Sequence, residues 1–179
     1  MYSEKEIKEQ IKLLNDEWQV LTEPVREKIN ILYVDDEPAN LRSFKSVFRR
    51  DYNIKIAESA NEGKESLKAH SFHIVVTDQI MPQTTGIEFL ESIREDYPEP
   101  IRILLTGYSD IDAVINAINR GGVYRYMSKP WNEAEMRQVI ESSYEVYFLR
   151  EKNKKLADDL IKTNRQLEFL FRQKLLDDE

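Results

Sequence analysis

Four apolar stretches of this chain each run out onto reactive polar side chains, and this constrains the possible folds more than any other feature. Ile31-Leu32-Tyr33-Val34 leads into Asp35-Asp36-Glu37, and Ile74-Val75-Val76-Thr77 leads into Asp78. Ile101-Arg102-Ile103-Leu104-Leu105 precedes Thr106-Gly107, and Val123 to Ser128 precedes Lys129-Pro130. Helical patterns separate these stretches, so they read as strands of a parallel sheet, and such sheets bind ligands outside the carboxyl ends of their strands. Three carboxylates, a hydroxyl and an ammonium then meet at one edge. Crowded carboxylates repel one another unless a cation joins them, and hard oxygen ligands suit Mg2+. An amine and a hydroxyl beside that metal are what the remaining oxygens of a phosphoryl group require. The pattern points to phosphoryl chemistry on an aspartate.

The intervening segments support the same architecture. A further strand is expected at Ile54-Lys55-Ile56-Ala57, and helices are expected to start near Pro38, Ala60, Gly86 and Ser109. Leu41, Phe44, Val47 and Phe48 should face inward on the first of these, and Val114, Ile115 and Ile118 on the fourth, which Gly121-Gly122 closes. A fifth helix should start after Trp131, with Asn132 as its cap and Glu135 three residues on.

Five fragments in order, with helix-length spacers, resemble the receiver domain of two-component response regulators over about Asn30 to Tyr147. They are Leu32 to Pro38, Val76 to Pro82, Gly86-Ile87-Glu88-Phe89-Leu90, Leu105-Thr106-Gly107-Tyr108 and Tyr126-Met127-Ser128-Lys129-Pro130-Trp131. The resemblance implies an α/β, flavodoxin-like (βα)5 doubly wound parallel sheet of order 2-1-3-4-5. It implies Asp78 as phosphoacceptor, attacking phosphorus to form an acyl phosphate. Asp36 would bind Mg2+ most directly, Asp35 partly through water, with Asp78 and the Ile80 backbone carbonyl completing the protein ligands. Lys129 would supply a flexible point charge to a phosphoryl oxygen, and Thr106 a hydroxyl to another. A cis Lys129-Pro130 bond is implied, and Tyr126 matches the aromatic that family members swing inward when the threonine moves. The phosphoryl donor would be a sensor histidine kinase. His70 and His73 lack acidic or cysteine partners at ligand spacing and read as scaffold.

Departures from the family pattern also carry information. Thr84 stands where an apolar residue is usual, which concerns local packing only. Ile80 and Tyr108 occupy positions where fast-hydrolysing members carry polar side chains.

Both ends extend past the receiver match. Residues 1–28 carry an apolar stripe of Ile7, Ile11, Leu14, Trp18, Leu21 and Val25 in helical steps, which Pro24 ends or kinks. Residues 29–147 form the receiver, and 148–179 extend its last helix as a coiled coil. Val139, Val146, Asn153, Leu160 and Leu167 recur every seven residues, with Leu149, Leu156, Thr163 and Leu170 as the companion row. This a/d seam suits a parallel homodimer whose register Asn153 sets, with Glu145 and Arg150 placed to pair across it. The alternative is a long amphipathic helix folded back on its own receiver or on the N-terminal helix.

The net charge of -7 argues against direct binding to nucleic acid, which attracts basic faces. Cysteine is absent, so no disulfide or thiolate metal site is available. No long apolar run or signal-peptide pattern appears, and the chain reads as cytoplasmic and free of the membrane. One competing class is a haloacid-dehalogenase-like phosphatase, which also combines a nucleophilic aspartate, threonine, lysine and Mg2+. Its nucleophile would follow the first strand in an Asp-x-Asp or Asp-x-Thr pattern, whereas here the lone acid follows the third. Another is the sensory part of a larger regulator. Thr106-Gly107-Tyr108-Ser109-Asp110, Ile118-Asn119-Arg120-Gly121-Gly122 and Lys129-Pro130-Trp131 resemble receivers joined to HD-GYP phosphodiesterases or nucleotide cyclases.

Overall fold

A computed structural model of the chain describes residues 28–107, 111–120 and 122–177. Strands β1 (Asn30–Val34), β2 (Asn53–Ala57), β3 (Ile74–Asp78), β4 (Ile101–Thr106) and β5 (Arg125–Ser128) form one parallel sheet in the order β2-β1-β3-β4-β5. Helices α1 (Pro38–Phe48), α2 (Ala60–Ala69), α3 (Gly86–Ile93), α4 (Ile111–Asn119) and α5 (Glu133–Asp177) follow the five strands in turn. This is the expected flavodoxin-like order. The expected N-terminal helix falls in residues 1–27, outside the described part.

The central strands are buried on both faces, as covered parallel sheets require, so they read as continuous apolar runs. Their alternating side chains feed two cores. Ile31, Tyr33, Ile74, Val76, Ile103 and Leu105 face α1 and α5, meeting Leu41, Phe44, Phe48, Met136 and Ile140. Leu32, Val34, Val75 and Leu104 face the other way, onto Leu67, Phe89, Leu90, Ile93, Val114 and Ala117 of α2, α3 and α4. One inward assignment is corrected: Ile115 is exposed, and Ala117 takes its place beside Val114 in the core. Val114, Ala117 and Ile118 follow the i, i+3, i+4 spacing of one helical stripe, and Ile115 lies off it. Val123 is buried but precedes β5, which begins at Arg125.

Local chemistry sets the helix starts. Pro38 occupies the first turn of α1, where a missing N–H costs nothing. Ser59 accepts from the Glu62 N–H to open α2, and Thr85 with Glu88 forms a reciprocal capping box on α3. Asn132 caps α5 as expected, its Oδ1 accepting from the Glu135 N–H at 2.8 Å.

α5 changes character along its 45 residues. Met136, Ile140 and Ser143 are buried against the sheet, and Val139, Tyr144, Val146 and Tyr147 are half-buried. From there the helix runs on with its apolar residues in solvent, Leu149 being 53% and Leu156 58% exposed, with Leu160 and Leu167 similar. Among the described residues no helix is long and apolar enough to cross a membrane.

Candidate functional site

β1, β3, β4 and β5 end at one edge of the sheet, and backbone hydrogen bonds tie these ends together. The Gln79 N–H donates to the Leu105 carbonyl at 2.8 Å, and the Lys129 N–H to the Thr106 carbonyl at 2.8 Å. The parallel register therefore brings the expected residues to one edge.

Asp35 is only 1% exposed. Its Oδ2 accepts from the Tyr33 hydroxyl at 2.6 Å and from Lys129 Nζ at 3.2 Å, and its Oδ1 accepts from the Glu37 N–H at 2.9 Å. The Asn40 amide donates to both oxygens, at 3.2 and 3.1 Å, and to Glu37 Oε2 at 2.9 Å. Asp36, the next residue, is exposed and makes no hydrogen bond or ion pair with a described residue. Two adjacent acids thus differ completely in environment, because successive side chains diverge as the strand runs out.

Asp78 is buried at the end of β3, with its Oδ2 accepting from the Ile80 N–H at 2.9 Å and its Oδ1 paired with Lys129. The Ile80 side chain points outward. Lys129 follows β5, its bond to Pro130 is cis as expected, and its ammonium joins Asp35 to Asp78. Burial by itself depresses this ammonium, but hydrogen bonding and charge from Asp78, then Asp35, outweigh it and hold the pKa above the ordinary lysine value. Burial first, then the hydrogen bond to Asp35, pushes the Tyr33 phenol well up, so it stays a donor.

Thr106 is buried, and its hydroxyl donates to the Gly107 carbonyl at 3.0 Å. A Cβ built on Gly107 would meet nothing within 4 Å, so the space beside Thr106 is open. Tyr126 is 46% exposed on β5 and turned away from both cores. Tyr108 lies outside the described residues.

The donor set suits a hard cation. Asp36 has no partner among the described residues, and Asp78 retains lone pairs beyond its two contacts, so both can offer carboxylate oxygens. Among the described residues no three carboxylate or imidazole groups gather tightly enough to enclose a metal by themselves. Mg2+ asks for no such cage, since it keeps several waters and takes one or two carboxylates.

Sequence reading missed three supporting residues. Tyr33 and Asn40 hold Asp35, and buried Gln79 lends its Oε1 to the Ile87 N–H at 3.2 Å, anchoring the loop after Asp78 to α3. The signal for Asn40 was its place in the first helical turn after the acids. Tyr33 and Gln79 gave none beyond being polar within apolar surroundings. His73 is scaffold: its Nδ1 accepts from the Asn30 N–H at 2.9 Å, and its ring packs on Tyr144 and Tyr147.

A doubly wound sheet with buried acids and a lysine at its carboxyl edge is the arrangement of receiver domains, which are phosphoacceptor switches rather than conventional enzymes. The chain belongs to the response regulator receiver domain family, whose model matches residues 31–141. It is similar to the hydrogenase transcriptional regulatory protein HoxA of Bradyrhizobium diazoefficiens, 29% identical over 75% of this chain and 28% of that protein. The photosynthetic apparatus regulatory protein RegA of Rhodobacter capsulatus is 30% identical, over 62% of this chain and 60% of that protein. Among solved structures, an adenylate cyclase from Rhodopirellula baltica superposes with a TM-score of 0.71 at 26% identity, covering 74% of this chain and 98% of that one. The signal receiver domain of an HD domain-containing protein from Pseudomonas fluorescens Pf-5 gives 0.68 at 29% identity, covering 73% and 97%. The chain spans about a quarter of the HoxA proteins it matches, 28% and 25% of their lengths.

Proposed function

We propose that the chain is a phosphorylation switch in which Asp78 accepts a phosphoryl group from the phosphohistidine of a sensor histidine kinase. An Asp78 carboxylate oxygen attacks phosphorus, the N–P bond breaks, and the imidazole recovers its electron pair. The observation that carries this reading is the Lys129 ammonium set between Asp35 and Asp78 at the carboxyl edge. An ammonium on a long stem can leave a carboxylate and follow an incoming phosphoryl oxygen. Receiver domains generally bind Mg2+, and here Asp36, Asp78 and the Ile80 carbonyl would hold it, with Asp35 acting through water. Mg2+ supplies charge neutralisation on the phosphoryl oxygens. Thr106 turns its hydroxyl from the Gly107 carbonyl to a phosphoryl oxygen, and Tyr126 moves inward from its exposed position. Those two movements form the switch.

Residues 29–147 are the receiver, and the last helix runs on beyond it as a coiled coil through which two copies pair in parallel. The exposed Leu149, Leu156, Leu160 and Leu167 support that pairing. Thr163 donates to the Asp159 carbonyl at 2.9 Å, so this polar seam residue is satisfied without a partner. Arg150 lies 5.1 Å over the Tyr124 ring and is engaged within its own chain, which leaves cross-pairing with Glu145 a minor contribution. The dimer acts in the cytoplasm and relays its state to an output. The chain's likeness to an adenylate cyclase and an HD domain-containing protein on one side, and to transcriptional regulators on the other, supports a receiver module that serves different outputs.

Acetyl phosphate with Mg2+ should add one phosphoryl group to the intact chain, read by mass, with a gain of roughly two negative charges. Persistent labelling of Asp78→Asn refutes the assignment.

A further inference from the structure

Asp35 and Asp36 are neighbours with the same functional group, yet one is enclosed and the other free. An ionised carboxylate offers about four lone-pair sites. Four groups already donate to Asp35: the Tyr33 hydroxyl, the Glu37 N–H, the Asn40 amide and the Lys129 ammonium. No site is left for a direct bond to a metal unless a donor withdraws. Tyr33 is confined within the core, and the Glu37 N–H is part of the turn into α1. Lys129 has Asp78 as a second partner. Asn40 is the donor that touches both oxygens of Asp35 and, at 2.9 Å, Glu37 as well. Its amide places positive hydrogens between two carboxylates that would otherwise repel.

We propose that Asn40 decides which of the two adjacent aspartates meets the cation: by holding both oxygens of Asp35 against Glu37, it makes Asp35 part of the framework and leaves Asp36 as the direct ligand. Asn40 is thus a positioning residue for the acidic edge. This rests on the reading above, in which Mg2+ binds at that edge through Asp36.

The opposite expectations of positioning and of plain structural support separate in a double substitution. Mg2+ binding to the full, unphosphorylated chain is measured by titration calorimetry, with unfolding temperature without metal as the control for folding. Asp36→Asn should weaken Mg2+ by about 10-fold or more, the scale on which even supporting residues of metal sites act. Adding Asn40→Ala to Asp36→Asn should recover about 3-fold to 10-fold of that loss, because the freed Asp35 replaces the missing ligand. Asn40→Ser, too short to span both acids, is a second route to the same recovery should the alanine variant fold poorly. Recovery with either variant supports the proposal, and a further loss or no change with both overturns it. Wild-type affinity in Asp36→Asn alone instead overturns the underlying assignment of Asp36, which the double variants do not test.

Discussion

Lys129 Nζ lies 3.2 Å from Asp35 Oδ2 while also paired with Asp78, so a residue following β5 bridges acids from β1 and β3. Removing it leaves two buried carboxylates short of a donor. Lys129→Met should therefore cost about 1–3 kcal/mol at neutral pH, the penalty for leaving charged groups unsatisfied. The sign of the pH dependence follows from the raised pKa. The contribution is fully present below the ordinary lysine value of 10.5 and is lost as pH rises through the higher folded value. Tyr33 and Tyr52, both raised chiefly by burial, act with the same sign. The difference between wild type and Lys129→Met in urea unfolding isolates the lysine, and it should shrink only above about pH 10.5. A difference that shrinks between pH 6 and 8 argues against the assignment.

Gly86 and Gly107 flank the same edge but should respond oppositely to a methyl group. A Cβ on Gly86 would sit 2.2 Å from the Asp78 carbonyl oxygen and 2.8 Å from Leu104 Cδ1, and backbone must shift to admit it. Gly86→Ala should destabilise by about 1–3 kcal/mol or more and slow labelling, because the displaced backbone carries Asp78. Gly107→Ala should leave the unfolding temperature nearly unchanged. Equal unfolding temperatures for the two variants would contradict this.

The phosphoryl group should be long-lived for a receiver. Ile80 sits outward beside Asp78, and apolar bulk there should exclude and misorient the attacking water, as the sequence leads one to expect of Tyr108. Ile80→Asn with Tyr108→Glu should shorten the half-life, followed by loss of the added mass after acetyl phosphate is removed. An equal or longer half-life counts against it.

Leu149 and Leu156 should lie on the dimer seam. In this cysteine-free chain, Leu149→Cys and Leu156→Cys should each crosslink like to like, with efficiency that changes on adding beryllofluoride. The seam is short and interrupted by Asn153 and Thr163, so it is marginal. An input of roughly 1 to 3 kcal/mol is enough to bias such a two-state element. No crosslink at either site in any state, with a monomer by light scattering, rules out the relay.

The sequence by itself determined the order of strands and helices and the residues at the carboxyl edge. Both are properties of local pattern: short β-branched apolar runs such as Ile74 to Thr77 suit a covered strand, and Asn132 caps the helix it precedes. It also placed Asp78, Lys129 and Thr106 together, because a parallel sheet brings every strand's end to the same side. That Asp36 rather than Asp35 is the open acid was legible from their adjacency, but only the tertiary structure decided what encloses Asp35. That outcome depends on Tyr33, Asn40 and Lys129, and on which oxygen each reaches across 2.6 to 3.2 Å. The exposure of Ile115 and the engagement of Arg150 by Tyr124 were likewise settled by packing. Periodicity tells which residues share a face of a helix, whereas what covers that face is set by contacts between segments far apart in the chain.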